Sequence, residues 1–504
     1  MIFDPKLISR FLQNDVVFSL TLLIAACFLL TLTVGIENKL LGYDDVFEYV
    51  AYAKSFYDSG EIRNIAVDPS SPPVTNQLGV VYFIFLPLIA TGMNIKSVVV
   101  AATVIAHINI LVIFCLFYRM MRLFLSRNLS RIYLLTLILT YTLWAFFASP
   151  LNDGFQVTFF LLAFVFLQKT LHRQLNSKRC FILFLLLLIG YLFRMQTIIL
   201  PFSLIIFYIF ERRFRETLLA LFILVGVIIA ADAIDSFFVS DFSSVNQLRN
   251  HGWSQLAGVI VSPIQTFFID LPTRAIGATV LGTTYFAKNG NFFYDALTLV
   301  LSLFIVFSSV RLFFLRRSYR LLVGCTFGSI LFLLISPVII NRYLVISLPF
   351  LWIILHRGLY PRFKHTHIVI FFLTVFVTMS RFFFLPPYVT EIPYGDLRVF
   401  KDCIYDSEPI LLSDHTHFTY FDLEQKIPKA AYLSDPDDHD TILYFSKQTK
   451  LFRNKFSRTS FNKIYIPRIN MRNGLVVEEW GYHVFVKKKM ARYSCFTQAS
   501  TKTQ

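Results

Sequence analysis

Charge is what this chain has least of. Asp, Glu, Lys and Arg make up 15% of its 504 residues, against a hydrophobic share of 56%. That scarcity excludes a soluble globular protein, in which roughly a quarter of residues are charged. Acidic residues are the scarcer sign, 31 against 47 basic. The resulting charge of +16 does not point to nucleic acid. Most basic residues fall in short loops between apolar runs, where they orient a membrane protein. Cysteine is also sparse, and the six thiols show no metal-ligand spacing. Cys27, Cys115 and Cys325 lie in apolar runs, where a thiol acts as a small hydrophobe. Cys403 and Cys495 fall in the polar C-terminal region and would pair only if it is extracytoplasmic. Internal repeats and low-complexity tracts are absent. No small-residue cleavage site follows the first apolar run, which reads as an uncleaved signal anchor.

What the chain does have is Phe, 57 residues of it, arranged with other apolar residues into about eleven candidate transmembrane spans. They are 16–34, 97–118, 132–149, 155–168, 180–193, 196–210, 217–234, 292–310, 321–339, 343–355 and 367–385. Several fall short of the ~20 residues a full crossing needs. The stretch 181–210 is too long for one helix, and Arg194-Met195-Gln196 interrupts it, so a tight hairpin turning at Arg194 is expected. With the N-terminus cytoplasmic, the inward loops carry Arg119/Arg122/Arg127/Arg131, Lys169/Arg173/Lys178/Arg179, Arg212/Arg213/Arg215, Arg311/Arg316/Arg317/Arg320 and Arg357/Arg362/Lys364. The outward turns are short and nearly free of Lys and Arg, as the positive-inside rule requires.

This parity holds only if Leu78–Ala90 does not cross. Its length and its flanks, Pro72-Pro73 and Gly92-Met93-Asn94, suit an interfacial helix better than a span. Residues 46–59 have an amphipathic pattern, with Val46, Tyr49, Val50, Ala53 and Phe56-Tyr57 opposite Asp45, Glu48, Tyr52 and Lys54. The first outer loop, about 35–96, therefore reads as two juxtamembrane helices. Residues 35–79 hold seven Asp/Glu and three Lys/Arg, the reverse of the inner loops. A second long outer segment, about 235–291, contains the apolar stretch Leu256–Ile269, read as re-entrant or interfacial. From Pro386 onward the chain is polar, with strand-like runs at Ile410–Ser413, Lys463–Ile466 and Tyr482–Lys487. The expected fold is an all-α polytopic membrane domain, 1–385, followed by a small α+β extracytoplasmic domain, 386–504.

Adjacent carboxylates at Asp44 and Asp45 arrive just after the first span. Charge beside hydrocarbon is costly and usually functional. One such carboxylate can act as general base on an acceptor hydroxyl or amine, and its neighbour can hold a divalent metal or orient the acceptor. The plainer reading is a helix start, where acidic residues offset orphan N–H groups. Asp153, in Asn152-Asp153-Gly154, lies in an outer turn and also suits a turn or cap. Arg194 and Arg342 lie at outer ends of spans, where each could grip a phosphate with its planar fork or snorkel to headgroups. His107 reads as a helix-packing residue. The cluster Asp435-Pro436-Asp437-Asp438-His439-Asp440 lacks the Gly and terminal Glu of a calcium loop and reads as a solvated turn.

Taken in order, these residues resemble the GT-C superfamily of polyprenyl-phosphate-sugar glycosyltransferases, most of all its protein O-mannosyltransferase and aminoarabinose-transferase branch. The matching features are Tyr43-Asp44-Asp45-Val46-Phe47-Glu48 leading into an amphipathic helix, Pro72-Pro73 leading into a second, Asp153 before the fourth span, Arg194 in the hairpin, and Arg342-Tyr343 followed by Pro349. The second acidic position is usually Glu in that family and is Asp45 here. The resemblance implies a catalytic set of Asp44, Asp45 and Asp153, with Asp44 as base or acceptor-orienting group. It implies lipid-phosphate contacts from Arg194, Arg342 and Tyr343, and Asp45 and Asp153 as candidate ligands of a divalent cation.

The function so implied is inverting transfer of a monosaccharide, hexosyl or pentosyl, from a polyprenyl-phosphate donor to a glycan, lipid or protein acceptor on the extracytoplasmic face of the membrane. Nucleic acid is not an expected partner. The alternatives are a flippase or transporter of lipid-linked saccharides and a non-catalytic GT-C-like subunit of a glycan-assembly complex. Transporters place charge near the bilayer midplane, whereas these spans are poor in acids, Asp232 being the nearest case.

Overall fold

Apolar periodicity in this sequence becomes helix over most of the described residues. The computed structural model describes residues 44–62, 78–140, 143–144, 147, 150–171, 174–239, 276, 278–280, 292–334, 344, 346–359, 365–384, 410–413, 441–445, 461–472 and 475–487. For Asp44, Asp45 and the strands it describes the backbone alone. The expected span 16–34, Arg342-Tyr343 and the Asp435–Asp440 cluster lie outside these residues, as do Cys403 and Cys495.

The helices are α1 (Asp44–Ser59), α2 (Val81–Ala90), α3 (Ile95–Met121), α4 (Arg127–Ile138), α5 (Asn152–Thr170), α6 (Ser177–Phe193), α7 (Ile199–Phe210), α8 (Phe214–Phe238), α9 (Phe292–Leu315), α10 (Arg320–Leu334), α11 (Leu348–Leu359) and α12 (Thr366–Phe384). Among the described residues three segments are long and apolar enough to cross a bilayer: Ser97–Met121 in α3, all of α8, and Ala296–Leu315 in α9. Their outward faces carry Val104, Ile108, Phe222, Ile229, Leu303 and Phe307, all exposed. A lattice of apolar side chains that size needs hydrocarbon, not water, around it. Leu78–Ala90 is too short to span, as expected, and its helix opens with one wide π-type turn, Val81–Phe85.

Local chemistry sets several boundaries. Asn94 caps α3 by accepting from Ser97 N at 2.8 Å, and Asn176 caps α6 by accepting from Arg179 N at 3.0 Å. Pro201 sits in the first turn of α7, where its missing N–H is harmless. The expected span 132–149 is not one helix. α4 stops at Ile138, and the indole of Trp144 donates to the Ile138 carbonyl at 2.7 Å. That bond satisfies a helix-end acceptor that a continuing helix would have covered.

Two apolar cores divide the helices. The larger runs from the second half of α3 through α12. The smaller one joins α1 and α2 to the first turns of α3, to Leu151 and Phe155, to Phe193 at the end of α6 and to Val239 after α8. Here Tyr52 departs from the sequence reading. It is buried, while Tyr57 is exposed. The buried face of α1 includes Ala51 and Tyr52 because α1 is covered on two sides, by α2 and by α3.

At the opposite end of the bundle the basic loops meet one another. Arg213 donates to the Leu171 carbonyl at 2.9 Å, and Gln168 to the Ser318 carbonyl at 3.1 Å. Glu211 takes both Arg317 and Arg320. Arg311 donates to Gly358 O at 2.9 Å, and Arg357 Nε to Phe124 O at 3.1 Å. Each of the five loops expected to face the same side is thus tied to another of them.

The backbone between residues 410 and 487 forms a four-stranded sheet, ordered β1 (Ile410–Ser413), β2 (Thr441–Phe445), β4 (Leu475–Lys487), β3 (Phe461–Arg472). β1 runs parallel to β2, and the other pairs are antiparallel. Sequence patterning located β1 and parts of β3 and β4 but not β2, Thr441–Phe445.

Candidate active site

Arg194 ends α6 in an extended conformation, φ −156° and ψ 131°. A 3-10 turn, Met195–Ile198, then leads into α7, so the chain does turn at Arg194. The turn is tight because Gly190 has no side chain. A Cβ there would lie 3.0 Å from Thr197 Cγ2. The extended backbone swings the Arg194 side chain out of the α6 register and toward the start of α5.

There it meets Asp153. Nε lies 2.8 Å from Oδ1 and Nη2 lies 2.9 Å from Oδ2, a two-point contact of planar fork on carboxylate. The side chains are 9% and 6% exposed. Asp153 stands in the first turn of α5, where exposed N–H groups add to the positive field around it. Phe193, next to Arg194, stacks on Phe155 and Phe159 at 5.3 and 5.9 Å, which walls the pair on its apolar side.

Asn152 precedes Asp153 and is fully buried. Its Oδ1 accepts from Val80 N at 2.9 Å, and its Nδ2 donates to the Tyr49 hydroxyl at 2.9 Å. Tyr49 belongs to α1, the helix that opens with Asp44 and Asp45. Asp45 is one turn upstream of it, about 6 Å of helical rise. Gly79 brings the start of α2 against the same place. A Cβ on Gly79 would lie 2.7 Å from Phe193 N, so only glycine permits the contact.

A second polar link crosses the same end. The Tyr82 hydroxyl donates to Asp235 Oδ1 at 2.7 Å, and the Tyr82 ring packs at a tilt against Phe238, centroids 4.6 Å apart. Burial and the neighbouring Asp235 charge push the Tyr82 hydroxyl well above its usual ionisation range. Ile62 N donates to Phe238 O at 3.1 Å, so the end of α8 also holds the far end of α1. At this end of α8 the buried acid is Asp235, not Asp232.

Of the residues singled out in the sequence, the structure joins Asp153 and Arg194 directly and sets the helix of Asp44 and Asp45 beside them. His107 bonds the carbonyl of Thr103 in its own helix, 2.6 Å away, in keeping with a packing role. Asn152, Tyr49, Tyr82 and Asp235 were missed. Asn152 had a signal, its place next to Asp153, but it was absorbed into the reading of a turn. The others carry no local signal, because their partners are 103 and 153 residues away in sequence.

A divalent cation is a poor fit to the described donors. Both Asp153 oxygens face the Arg194 guanidinium, and a cation would have to displace it to reach an oxygen lone pair. Among the described residues no three His, Cys, Asp or Glu side chains come together as a ligand set.

No protein-family profile matches the chain, and no curated protein sequence is similar to it. Solved structures are. The chain is similar to the archaeal oligosaccharyltransferase AglB from Archaeoglobus fulgidus in complex with an inhibitory peptide and a dolichol-phosphate, with a TM-score of 0.51 and 12% identity over 85% of this chain and 69% of that one. It is equally similar to an Archaeoglobus fulgidus oligosaccharyltransferase in complex with Zn and sulfate, with a TM-score of 0.51 and 10% identity over 84% and 67%. At these identities the likeness is one of fold, the fold of these oligosaccharyltransferase structures.

Proposed function

We propose that this chain is an inverting membrane glycosyltransferase that moves one monosaccharide, hexosyl or pentosyl, from a polyprenyl phosphate to a glycan, lipid or protein acceptor. The observation that carries the reading is the buried Asp153–Arg194 pair, set beside the helix of Asp44 and Asp45, at the end of the bundle away from the basic loops. In this reading residues 1–385 are the catalytic membrane domain, with a cytoplasmic N-terminus. Residues 386–504 are an extracytoplasmic α+β domain. The site faces outward.

The acceptor hydroxyl or amine attacks the anomeric carbon from the face opposite the phosphate. The new bond forms as the bond from that carbon to the phosphate oxygen breaks, and the polyprenyl phosphate leaves with the electron pair. The acceptor proton passes to the Asp44 carboxylate, with Asp45 orienting the acceptor. Arg342 and Tyr343 hold the phosphate as its charge grows, a contribution of order 10²–10³ in rate per well-placed donor. Arg194 donates from Nη2 to Asp153 Oδ2 and lies against Oδ1 through Nε. The same guanidinium can orient the carboxylate and contact the phosphate.

Membranes containing the full chain, supplied with radiolabelled polyprenyl-phosphate sugars and candidate acceptors, test the reading. Label should move to one acceptor with the wild type and not with Asp44→Asn. Full transfer by a normally folded Asp44→Asn protein overturns it.

A further inference from the structure

Asn152 is fully buried, and both ends of its side-chain amide are bonded to other parts of the chain. Val80 stands at the start of the second outer-loop helix. Its N–H falls in a first turn, where a helix supplies no acceptor of its own. Asn152 Oδ1 supplies one from another helix at 2.9 Å. Tyr49 is buried in α1, where a phenol without a partner is costly. Asn152 Nδ2 meets its oxygen at 2.9 Å. One planar group therefore grips α1 and α2 together, and a single peptide bond separates it from Asp153.

We propose that Asn152 is the positioning residue that seats the helix of Asp44 and Asp45 against the Asp153–Arg194 pair. The proposal rests on the glycosyltransferase reading for its effect on rate, and on geometry alone for its effect on structure. The far end of α1 is held separately, by Ile62 on Phe238, so losing Asn152 loosens the end that carries the two carboxylates, leaving it on apolar packing of Val46 and Val50. The chemistry demands an amide. Aspartate keeps an acceptor for Val80 but has no N–H to give Tyr49, and it sets a second negative charge beside Asp153. Leucine keeps the volume and loses both bonds.

The test uses the full chain in lipid nanodiscs, with hydrogen exchange and transfer kinetics on the same preparations. Asn152→Ala should speed exchange of the amides at 79–83 roughly tenfold or more, the loss of one buried hydrogen bond. It should lower kcat about a hundredfold, as a misplaced catalytic group does, with KM for the lipid donor unchanged. Tyr49→Phe, which keeps the ring and guards against a variant that fails to fold, should lower kcat in the same direction by a smaller factor. Combined with Asn152→Ala it should add little, since the two share one bond. Wild-type exchange at 79–83 in Asn152→Ala overturns the seating role. A raised donor KM at unchanged kcat also overturns it, because Asn152 would then be touching substrate. A wild-type protein inactive on every polyprenyl-phosphate sugar sinks the functional reading instead, and the exchange result still decides whether Asn152 holds the two helices.

Discussion

Asp153 and Arg194 face each other carboxylate to guanidinium, both oxygens of one against two nitrogens of the other, 41 residues apart in sequence. Removing one partner from such a buried pair strands the other charge, at about 3–5 kcal/mol. Arg194→Ala should therefore lower thermal stability in detergent sharply. The double variant Asp153→Asn/Arg194→Gln, which leaves no buried charge, should recover much of that loss. Transfer activity should stay low in both. Thermal unfolding followed by intrinsic fluorescence, beside the radiolabel assay, separates the structural share from the chemical one.

Gly79 gives a second prediction. A methyl group there would collide with backbone atoms of Phe193 at 2.7 and 2.8 Å, and backbone cannot turn aside as a side chain can. Gly79→Ala should destabilise by about 1–3 kcal/mol, as overpacking does, and should shift α2 away from α6. Disulfide trapping between engineered cysteines on α2 and α6 reads that shift directly. Trapping as efficient as in the Gly79 protein counts against the predicted clash.

Tyr82 and Asp235 give a third. Tyr82→Phe leaves the buried Asp235 carboxylate without the phenol that donates to it, at about 1–3 kcal/mol. Pairing it with Asp235→Leu, which removes both polar partners, should be milder than Tyr82→Phe alone. A double-mutant cycle by thermal unfolding checks this, and a coupling near zero would show that the bond contributes no stability.

Metal removal gives a fourth. If Arg194 is the resident partner of Asp153, dialysis against EDTA should leave the rate of transfer unchanged. Loss of activity restored by added Mn²⁺ would show a cation taking the carboxylate from the guanidinium.

The sequence disclosed the helical hairpin at Arg194, the short helix before α3 and the common end of the basic loops, because each depends on local signals. Those are an interruption in an apolar run, a length too short to span, and the placement of Lys and Arg. It also put Asp153 and Arg194 at the same end by counting crossings. It did not disclose that they touch. Contact depends on how the extended residue after α6 aims a long side chain, and that direction is set by packing of Phe193 on Phe155 and Phe159. Asn152 was unreadable for a similar reason. An Asn before Asp-Gly looks like turn chemistry until the two helices it joins are folded onto it. The break at Ile138 escaped because Tyr141–Ala148 is as apolar as a span, and the Trp144 indole that caps the break is indistinguishable by composition from one that faces lipid.

The bond from Arg357 to the Phe124 carbonyl joins positions 233 residues apart. Phe124 leaves the ribosome long before Arg357 exists. The loop after α3 must therefore wait, with its carbonyl facing water or headgroups, until α11 has been inserted. The last ties of the basic end form late in biosynthesis. A chain stalled or truncated before α11 would hold helices joined by Arg213, Gln168 and Glu211 but with the loop after α3 still unfastened, and that loop is what membrane quality control would meet.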